Sequence, residues 1–493
     1  MAAAVDVSAR TDHGQAPRNV LTLAGGQAAT WLLATVWIVF VPRAIGPVGM
    51  GDLTTAYSVT GVVTGIVGFG VTTFLVKEIA RSRQRGLVLI PAALGLQLAV
   101  AVPAVLMVAT YSRLGRFDGT LLAVLWIFSA TALLEMTGAR LEAAFQGIQR
   151  MEYVAAGRVL TRAGVTGLAI AIVSVGLGVV QLAWMSLLVT AAVTCVQVRW
   201  LLREFNLEWR VDLREVRRLA VAALPYGAGD IVAVTYLWVD SMLLALLTPT
   251  RVVGWYGAPT RLLGALLFVP VILSAAWLPR MADKFTTDRA LYRVGARATL
   301  ELTLVAAIPI ATGTLIIAPD VVRLLYGDQF APAAPVLAIL ALSIPFMYLN
   351  VAAWSVLVAA DRQLTWIKLM AVATVVNVAL NVLLIEVLQR RTGNGGIGSA
   401  LALLTTEVLM AAGAVVLMRG LLTRGTASRV LRALAVSVLM AALVLAVRPL
   451  GLAAELLCGA GLFLAGALLL RVFTPAELRQ AAGAALKARG AAA

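Results

Sequence analysis

The sequence predicts an all-α polytopic membrane protein with about 14 transmembrane helices, in two six-helix lobes followed by two C-terminal helices. Three observations predict this class: 61% of the 493 residues are hydrophobic, only 13% are charged, and the mean hydropathy is +0.94. Soluble domains carry about 25% charged residues and about 45–50% apolar ones. No soluble core could bury this much apolar surface, so the composition excludes soluble, disordered and collagen-like chains.

Fourteen apolar runs are long enough to cross a bilayer, which requires about 20 residues of helix. In chain order they lie near residues 20–41, 53–76, 87–110, 119–140, 153–175, 177–198, 220–247, 252–279, 297–318, 333–358, 365–387, 397–418, 430–447 and 451–472. The first run follows a polar tail with few basic residues and no clear cleavage site. We therefore expect a retained helix rather than a secretory signal.

The distribution of basic residues predicts the orientation of these helices. The chain carries 40 Lys and Arg against 24 Asp and Glu, a formal net charge of +16. With both termini in the cytoplasm, 29 basic residues fall on the inner side, 8 in outer loops and 3 within spans. Because cytoplasmic loops are enriched in Lys and Arg, this asymmetry predicts a multi-pass cell membrane protein with cytoplasmic N and C termini. It also explains the positive charge without a nucleic-acid partner.

The connections between helices suggest an internal repeat. Helices one and two are joined by residues 42–53 and helices seven and eight by residues 247–256, and both connections pass through a Gly-x-apolar step, at Gly51 and Gly254. Helices two and eight are also interrupted by several glycines or prolines, a feature of transporters with a hinged central site. The interrupting residues are Gly61, Gly65, Gly68, Gly70, Pro259, Pro270 and Pro279.

These features predict the domain organisation of the chain. The predicted segments are a cytoplasmic tail (1–19), an N-terminal six-helix lobe (20–198), an amphipathic cytoplasmic linker (199–218), a C-terminal six-helix lobe (219–418), two appended transmembrane helices (419–472) and a cytoplasmic tail (473–493). The linker is basic, and we expect it to lie along the inner membrane surface.

The chain lacks the motifs of ATP-driven transporters and of common enzymes. None of its four lysines follows a glycine, which excludes a P-loop, and the DxD, GxSxG and HExxH patterns are absent. His13 lies in the polar tail, and Cys195 and Cys458 fall in separate apolar runs, so we predict no metal, disulfide framework or cofactor. A transporter is therefore expected rather than an enzyme.

Basic residues inside the membrane are candidates for substrate binding, because each costs at least about 2.5–3.5 kcal/mol at the bilayer centre. Arg158 and Arg162 are four residues apart on one face of span five. Two guanidinium groups in a cavity would suit a phosphate or pyrophosphate. Alternatively, both side chains extend to the headgroups at the inner end of the helix.

Acidic and amide side chains inside the spans have two interpretations. Asp240 in span seven either takes up a proton or coupling cation or pairs with Arg261 of span eight. For Asp230, nearer the inner end, we expect a water-filled vestibule. Glu407 of span twelve either lines the cavity or holds helices together. The same two interpretations apply to Asn377 and Asn381, which share one face of span eleven. For Glu135 and Glu142, which flank Arg140, the sequence favours an interfacial network.

Several motifs, in their order along the chain, resemble the polysaccharide transporters, or Wzx-type oligosaccharide flippases, of the multidrug/oligosaccharidyl-lipid/polysaccharide (MOP) exporter superfamily. The motifs are VPRAIGPVGMGDLTTAYS from Val41, GFGVTTFLVKEIAR from Gly68, LEAAFQGIQRMEYVAAGRVLTR from Leu141, VDSMLLALLTPTRVVGWYGAPTRLL from Val239, APDVVRLLYGDQFAPAAPVLAILA from Ala318, VVNVALNVLLIE from Val375 and GGIGSALALLTTEVL from Gly395. Each motif alone is unspecific, whereas the ordered set covers nearly all fourteen spans.

The resemblance implies a flippase that moves polyprenyl-pyrophosphate-linked oligosaccharide across the bacterial inner membrane by alternating access, for polysaccharide biosynthesis. It implies that the substrate contacts three arginines, Arg158, Arg162 and Arg261, and two asparagines, Asn377 and Asn381. Asp240, Glu407 and Asp230 are then candidates for the coupling ion. The expected partners are the lipid-linked glycan, membrane lipids, and a polysaccharide polymerase with glycosyltransferases. The alternatives are a cation-coupled drug exporter and a peptidoglycan-precursor flippase.

Overall fold

The computed structural model describes residues 15–68, 70–117, 119–205 and 211–470. Within these ranges the chain forms α-helices, two short 3-10 helices and connections, without a β-strand. The all-α class predicted from the composition is therefore confirmed. The predicted tails lie outside the described residues, except that residues 15–19 belong to the first helix; His13 is also outside them.

Fifteen α-helices follow one another along the described residues. They are α1 (Gln15–Gly68), α2 (Val71–Arg81), α3 (Arg83–Leu114), α4 (Gly119–Gly147), α5 (Met151–Ser174), α6 (Val179–Glu204), α7 (Leu213–Leu247), α8 (Thr250–Leu266), α9 (Phe268–Thr287), α10 (Arg289–Tyr326), α11 (Ala334–Ala359), α12 (Gln363–Thr392), α13 (Gly395–Leu417), α14 (Arg424–Val447) and α15 (Leu452–Leu469). The 3-10 helices are Asp328–Ala333 and Arg448–Leu450.

Thirteen segments of the described chain are long and apolar enough to cross a membrane, and the first of them contains two predicted spans. This segment, Thr30–Arg81, has 52 residues, which would extend about 78 Å as one helix, more than twice the hydrocarbon thickness. It reverses at Gly46, whose φ of 70° favours glycine. Trp37 and Tyr57, on either side of Gly46, pack edge to face with ring centroids 6.5 Å apart. The two parts of α1 therefore form a hairpin, which accounts for the fourteen predicted spans.

The predicted second and eighth spans are each broken into two helices. The second span breaks at Gly70, in the left-handed conformation, between α1 and α2. The eighth breaks between α8 and α9, where Pro270 has no N–H to donate to the Leu266 carbonyl. The Tyr348 hydroxyl donates to that carbonyl instead, at 2.6 Å. Interruption of a membrane helix is tolerated where side chains satisfy the freed backbone groups.

Arg140 performs the same role at the break of the second span. Its side chain is fully buried, and its Nη2 donates to the Val67 carbonyl at 2.8 Å, near the end of α1. Its Nη1 donates to the Met136 carbonyl of its own helix. Because helix C-termini carry partial negative charge, they stabilise a nearby cation. Arg140 therefore stabilises the interrupted helix rather than lying in an interfacial network with Glu135 and Glu142.

The predicted linker at 199–218 includes the end of one helix and the beginning of the next, and its place on the inner membrane surface stays a prediction. Residues 199–204 continue α6, and residues 213–218 form the beginning of α7; residues 206–210 are outside the described part of the chain. Backbone hydrogen bonding continues past the apolar run, so α6 and α7 are longer than the apolar stretches from which the spans were predicted.

The two connections recognised as a repeat contact each other. A Cβ added at Gly51 would lie 1.9 Å from the Thr250 carbonyl oxygen, and one added at Gly254 would lie 1.9 Å from the Pro47 carbonyl oxygen. Pro47 and Thr250, like Gly51 and Gly254, are 203 residues apart in the numbering. This reciprocal contact, hereafter the Gly51–Gly254 contact, is the pattern that two equivalent segments produce about a two-fold axis.

The helices that follow the predicted second lobe pack on α10. Glu301 of α10 pairs with Arg429 at 3.1 Å and accepts a hydrogen bond from Thr426 at 2.5 Å. The second helix, α15, packs along α14 through Phe463 and Met440. The division into two lobes and two appended helices stays a prediction. The contacts of Glu301 with α14 attach the appended helices to α10.

Candidate functional site

A cavity of about 460 Å³ lies among α1, α4, α5 and α6. Its lining residues recur every three or four positions on each helix, which places them on one helix face. They are Thr30, Trp31, Ala34, Glu135, Gly138, Ala139, Glu142, Arg158, Thr161, Arg162, Thr190, Val193, Thr194 and Gln197. Ligand pockets have volumes of about 300–1,000 Å³, so the cavity is large enough for a small headgroup.

Each arginine predicted in span five lines this cavity and faces a glutamate of α4. The Arg158 Nε lies 2.9 Å from a Glu142 carboxylate oxygen. Arg162 interacts electrostatically with Glu135. Both glutamates therefore belong to the cavity rather than to an interfacial network at the end of α4.

Arg261 of α8 reaches the aromatic side chains of the α1 hairpin. Its guanidinium carbon lies 4.5 Å from the ring centroid of Trp37 and 4.5 Å from that of Tyr57. This is a cation–π arrangement with a ring contributed by each arm of the hairpin. Arg261 also interacts electrostatically with Arg162. The structure thus brings Arg158, Arg162 and Arg261 into one region.

Asp240 lies in a separate polar cluster, and its side chain is 3% exposed. One carboxylate oxygen accepts from the Asn381 amide at 2.6 Å, and the other accepts from the Tyr256 hydroxyl at 3.1 Å. The Asn381 amide also donates to Asn377, one turn earlier on α12, at 3.0 Å. Asn377 in turn donates to the Thr406 hydroxyl at 3.3 Å.

Glu407 extends this cluster on α13. Its carboxylate accepts from the Tyr236 hydroxyl at 2.8 Å and from the Asn350 amide at 2.7 Å. Glu407 interacts electrostatically with Asp240, so two buried carboxylates share the cluster. The side-chain carbonyl oxygens of Asn350 and Asn381 find no hydrogen-bond partner among the described residues. Buried carbonyl oxygens without a donor are unusual, and they are suitable ligands for a cation.

Three of the predicted groupings differ from the structure. Asp240 is not the partner of Arg261: the carboxylate faces α12, whereas the guanidinium points to α1. Asn377 and Asn381 are fully buried beside Asp240 rather than grouped with the arginines. Asp230 is exposed and lies almost three turns from Asp240 along α7, so it is not part of the carboxylate cluster.

The sequence analysis did not single out the uncharged residues that surround the charged side chains of the cavity and of the carboxylate cluster. Gln197 and Trp31 line the cavity, and Tyr236, Tyr256 and Asn350 bind the carboxylates. Gln197 and Asn350 each interrupt an apolar run with an amide, a signal that was available in the sequence. The tyrosines carried no such signal, because a tyrosine in a membrane helix is common.

Comparison with solved structures shows which fold this is. The lipid II flippase MurJ, in an inward closed conformation, is similar over 91% of this chain and 97% of that chain, with a TM-score of 0.73 and 11% identity. A multidrug resistance MATE family transporter of the MOP superfamily, in an inward-facing conformation, is similar over 82% and 98%, with a TM-score of 0.65 and 14% identity. At these identities the likeness concerns the fold alone.

Comparison with sequences shows the family. No curated protein matches the chain. The family model described as "Polysaccharide biosynthesis protein" matches residues 16–285, more than half of the chain. This region contains nearly all of α1, the helices α2 to α8, and the residues Arg158, Arg162, Arg261 and Asp240. The chain therefore belongs to the polysaccharide biosynthesis protein family, as the resemblance to polysaccharide transporters of the MOP superfamily predicted.

Proposed function

We propose that the protein is a flippase that moves polyprenyl-pyrophosphate-linked oligosaccharide across the bacterial inner membrane by alternating access, for polysaccharide biosynthesis. The observation that carries this proposal is that Arg158 and Arg162 line one cavity and that Arg261 of α8 interacts electrostatically with Arg162. Family membership and the fold agree with it. In the proposed orientation both termini are cytoplasmic. Glycosyltransferases would supply the lipid-linked glycan, and a polymerase would consume it.

Arg162 and Arg261 are the strongest candidates for the pyrophosphate. Arg158 is already paired with Glu142, whereas Arg261 rests on aromatic rings and repels Arg162 electrostatically. Two like charges that interact at low dielectric are costly, and an anion between them relieves that cost. A pyrophosphate accepts bidentate hydrogen bonds from both guanidinium groups. Its binding would therefore draw α5 of the first predicted lobe towards α8 of the second.

The carboxylate cluster is the candidate site of ion coupling. Asp240 and Glu407 are buried together, and all the hydrogen-bond partners described above for them are tyrosine hydroxyls or asparagine amides. Two carboxylates without a basic partner are expensive to keep ionised in this environment. Uptake of a proton, or of a cation by these carboxylates and the unpartnered oxygens of Asn350 and Asn381, removes that cost. We propose that this uptake drives the cycle.

The same cluster favours a second candidate, a cation-coupled small-molecule exporter. Such an exporter needs a cavity that accepts cations. Here Arg158 and Arg162 of the cavity lining, together with the nearby Arg261, outnumber the two lining glutamates. This surplus of positive charge favours an anionic substrate. A peptidoglycan-precursor flippase also carries a lipid pyrophosphate, and its substrate must be compared directly.

Transport in liposomes tests these proposals. The purified protein is reconstituted with a fluorescent polyprenyl-pyrophosphate glycan, with lipid II or with a cationic dye, and movement to the opposite leaflet is followed with and without proton or sodium gradients. We expect movement of the polyprenyl-pyrophosphate glycan, accelerated by a gradient. Transport of dye alone would establish the exporter, and lipid II alone would establish the peptidoglycan-precursor flippase.

Two variants separate the binding and coupling roles. Arg162→Ala should reduce flipping at normal protein levels, whereas Arg390→Ala, an exposed arginine of α12, is the matched control. Asp240→Asn should remove the effect of the gradient while leaving downhill movement. Flipping by Arg162→Ala at the wild-type rate would mean that Arg162 only reaches the headgroups; retained gradient dependence in Asp240→Asn would make Asp240 a structural residue.

A further inference from the structure

We propose that the part of the cavity around Arg158 and Glu142 binds an uncharged sugar and discriminates against acidic sugars such as uronic acids. This proposal rests on the proposed function, because it concerns the glycan of the same lipid-linked substrate. It follows from three properties of the cavity: paired charges, uncharged polar groups arranged around them, and a tryptophan at the side.

The first property is local electroneutrality. Arg158 and Glu142 form an ion pair at 2.9 Å, and the side chain of Glu142 is 15% exposed. An acidic sugar placed here would have to displace Glu142 from Arg158 or leave two carboxylates side by side. Like charges brought together in a desolvated site strongly disfavour binding. The surplus of positive charge is that of Arg261, on the side of Arg162 where the pyrophosphate is expected.

The second property is a set of uncharged hydrogen-bonding groups. The Thr190 side chain is 4% exposed, lines the cavity, and finds no hydrogen-bond partner for its hydroxyl among the described residues. A buried hydroxyl without a partner is unusual, and a sugar hydroxyl bound beside Thr190 would satisfy it. Thr194 and Gln197 lie on the same face of α6. A threonine hydroxyl and a glutamine amide both donate and accept, as the hydroxyl groups of a sugar require.

The placement of Gln197 depends on two glycines. A Cβ added at Gly138 would lie 2.9 Å from its Oε1, and one added at Gly157 would lie 2.5 Å from its Nε2. Glycine at both positions therefore creates the space for the amide between α4 and α5. From there Gln197 is within hydrogen-bonding reach of Glu142. The carboxylate is thus oriented towards the cavity, where it can accept from sugar hydroxyls.

The third property is an aromatic wall. Trp31 lines the cavity and is 37% exposed, so part of its ring is available to a ligand. The apolar C–H face of a pyranose packs on an aromatic ring while its hydroxyl groups bond at the edge. A volume of about 460 Å³ leaves room for a headgroup, and the partial exposure of Arg158 leaves an entrance.

A competition between two substrates tests the inference. Two polyprenyl-pyrophosphate disaccharides are compared in liposomes, identical except that the terminal CH₂OH of the first sugar is a carboxylate in one of them. We expect the wild-type protein to flip the neutral compound at least about tenfold faster, because the acidic one meets Glu142 and Glu135. Glu142→Gln and Glu135→Gln should each lower this ratio several-fold. Glu386→Gln, an exposed glutamate of α12, should leave it unchanged.

The outcomes distinguish this inference from the proposed function. Equal rates for the two compounds, or faster movement of the acidic one, would overturn the inference and leave the flippase intact. An unchanged ratio in both glutamate variants would also overturn it. Failure to flip either compound would overturn the proposed function, and the inference with it. Thr190→Val gives an independent measurement: it should slow the neutral compound several-fold without loss of folded protein.

Discussion

The Gly51–Gly254 contact provides the sharpest structural prediction. Replacing Gly254 with alanine places a methyl group 1.9 Å from the Pro47 carbonyl oxygen, whereas ordinary contacts begin at 3.4 Å. The two helices must therefore separate by about 1.5 Å at this point. Overpacking of this kind costs about 1–3 kcal/mol. If the contact exists only when this end of the molecule is closed, the alanine shifts the equilibrium towards the open state about 5–150-fold.

Thiol labelling measures that shift. Thr54 lies in the same interface, is 4% exposed, and would contact any Cβ at Gly257. Thr54→Cys, in a background with Cys195 and Cys458 replaced by serine, should react slowly with a maleimide in detergent. Adding Gly254→Ala should accelerate the reaction within the range given above, because the cysteine becomes exposed in the open state.

A matched control lies in the same helix. Gly264 of α8 has nothing within 4 Å of an added Cβ, so Gly264→Ala should leave the labelling rate unchanged. Gly51→Ala should act like Gly254→Ala, because the contact is reciprocal. If both interface variants lower thermal stability but leave labelling at the wild-type rate, the contact is purely structural and the reasoning is wrong.

Three further predictions concern stability in detergent. Tyr348→Phe leaves the Leu266 carbonyl without its donor, so the free energy of unfolding should fall by about 1–3 kcal/mol; an unchanged melting temperature would show that another donor replaces it. A double-mutant cycle of Trp37→Leu and Arg261→Gln should give a coupling of about 0.5–2 kcal/mol, and simple additivity would contradict the cation–π contact. Glu301→Gln should loosen α14, so limited proteolysis at residues 419–424 should accelerate; wild-type resistance would contradict this anchor.

The number and positions of the spans could be predicted because they depend on local composition. A run of about 20 apolar residues is a helix in a membrane wherever it packs. The break at Pro270 was also visible, since proline lacks the donor. How far a helix continues past its apolar run, as α6 does over residues 199–204, was not predictable, because hydropathy records only where the apolar run ends.

The partners of the charged side chains could not be predicted from one sequence. Asp240 and Arg261 are close in the chain and opposite in charge, which favoured a pair between neighbouring helices. In the structure the Asp240 partner, Asn381, lies 141 residues away, and the Arg261 partners lie in the α1 hairpin. Which face of each helix meets which neighbour depends on the packing of all the helices together.

The structure places the candidate binding and coupling residues on different helices, and Arg261 connects them. The cavity belongs to α1, α4, α5 and α6, whereas the carboxylate cluster is built from α7, α8 and α11 to α13. The helix α8 carries Tyr256, which binds Asp240, and Arg261, which is five residues later and faces Trp37 and Tyr57. A change of charge at Asp240 would therefore act on α8 directly, through the Tyr256 hydroxyl, and α8 is separated from α9 by the break beside Pro270. The short helix α8 alone would then couple Asp240 to Arg261. A Tyr256→Phe variant that kept substrate binding but lost gradient dependence would show this coupling.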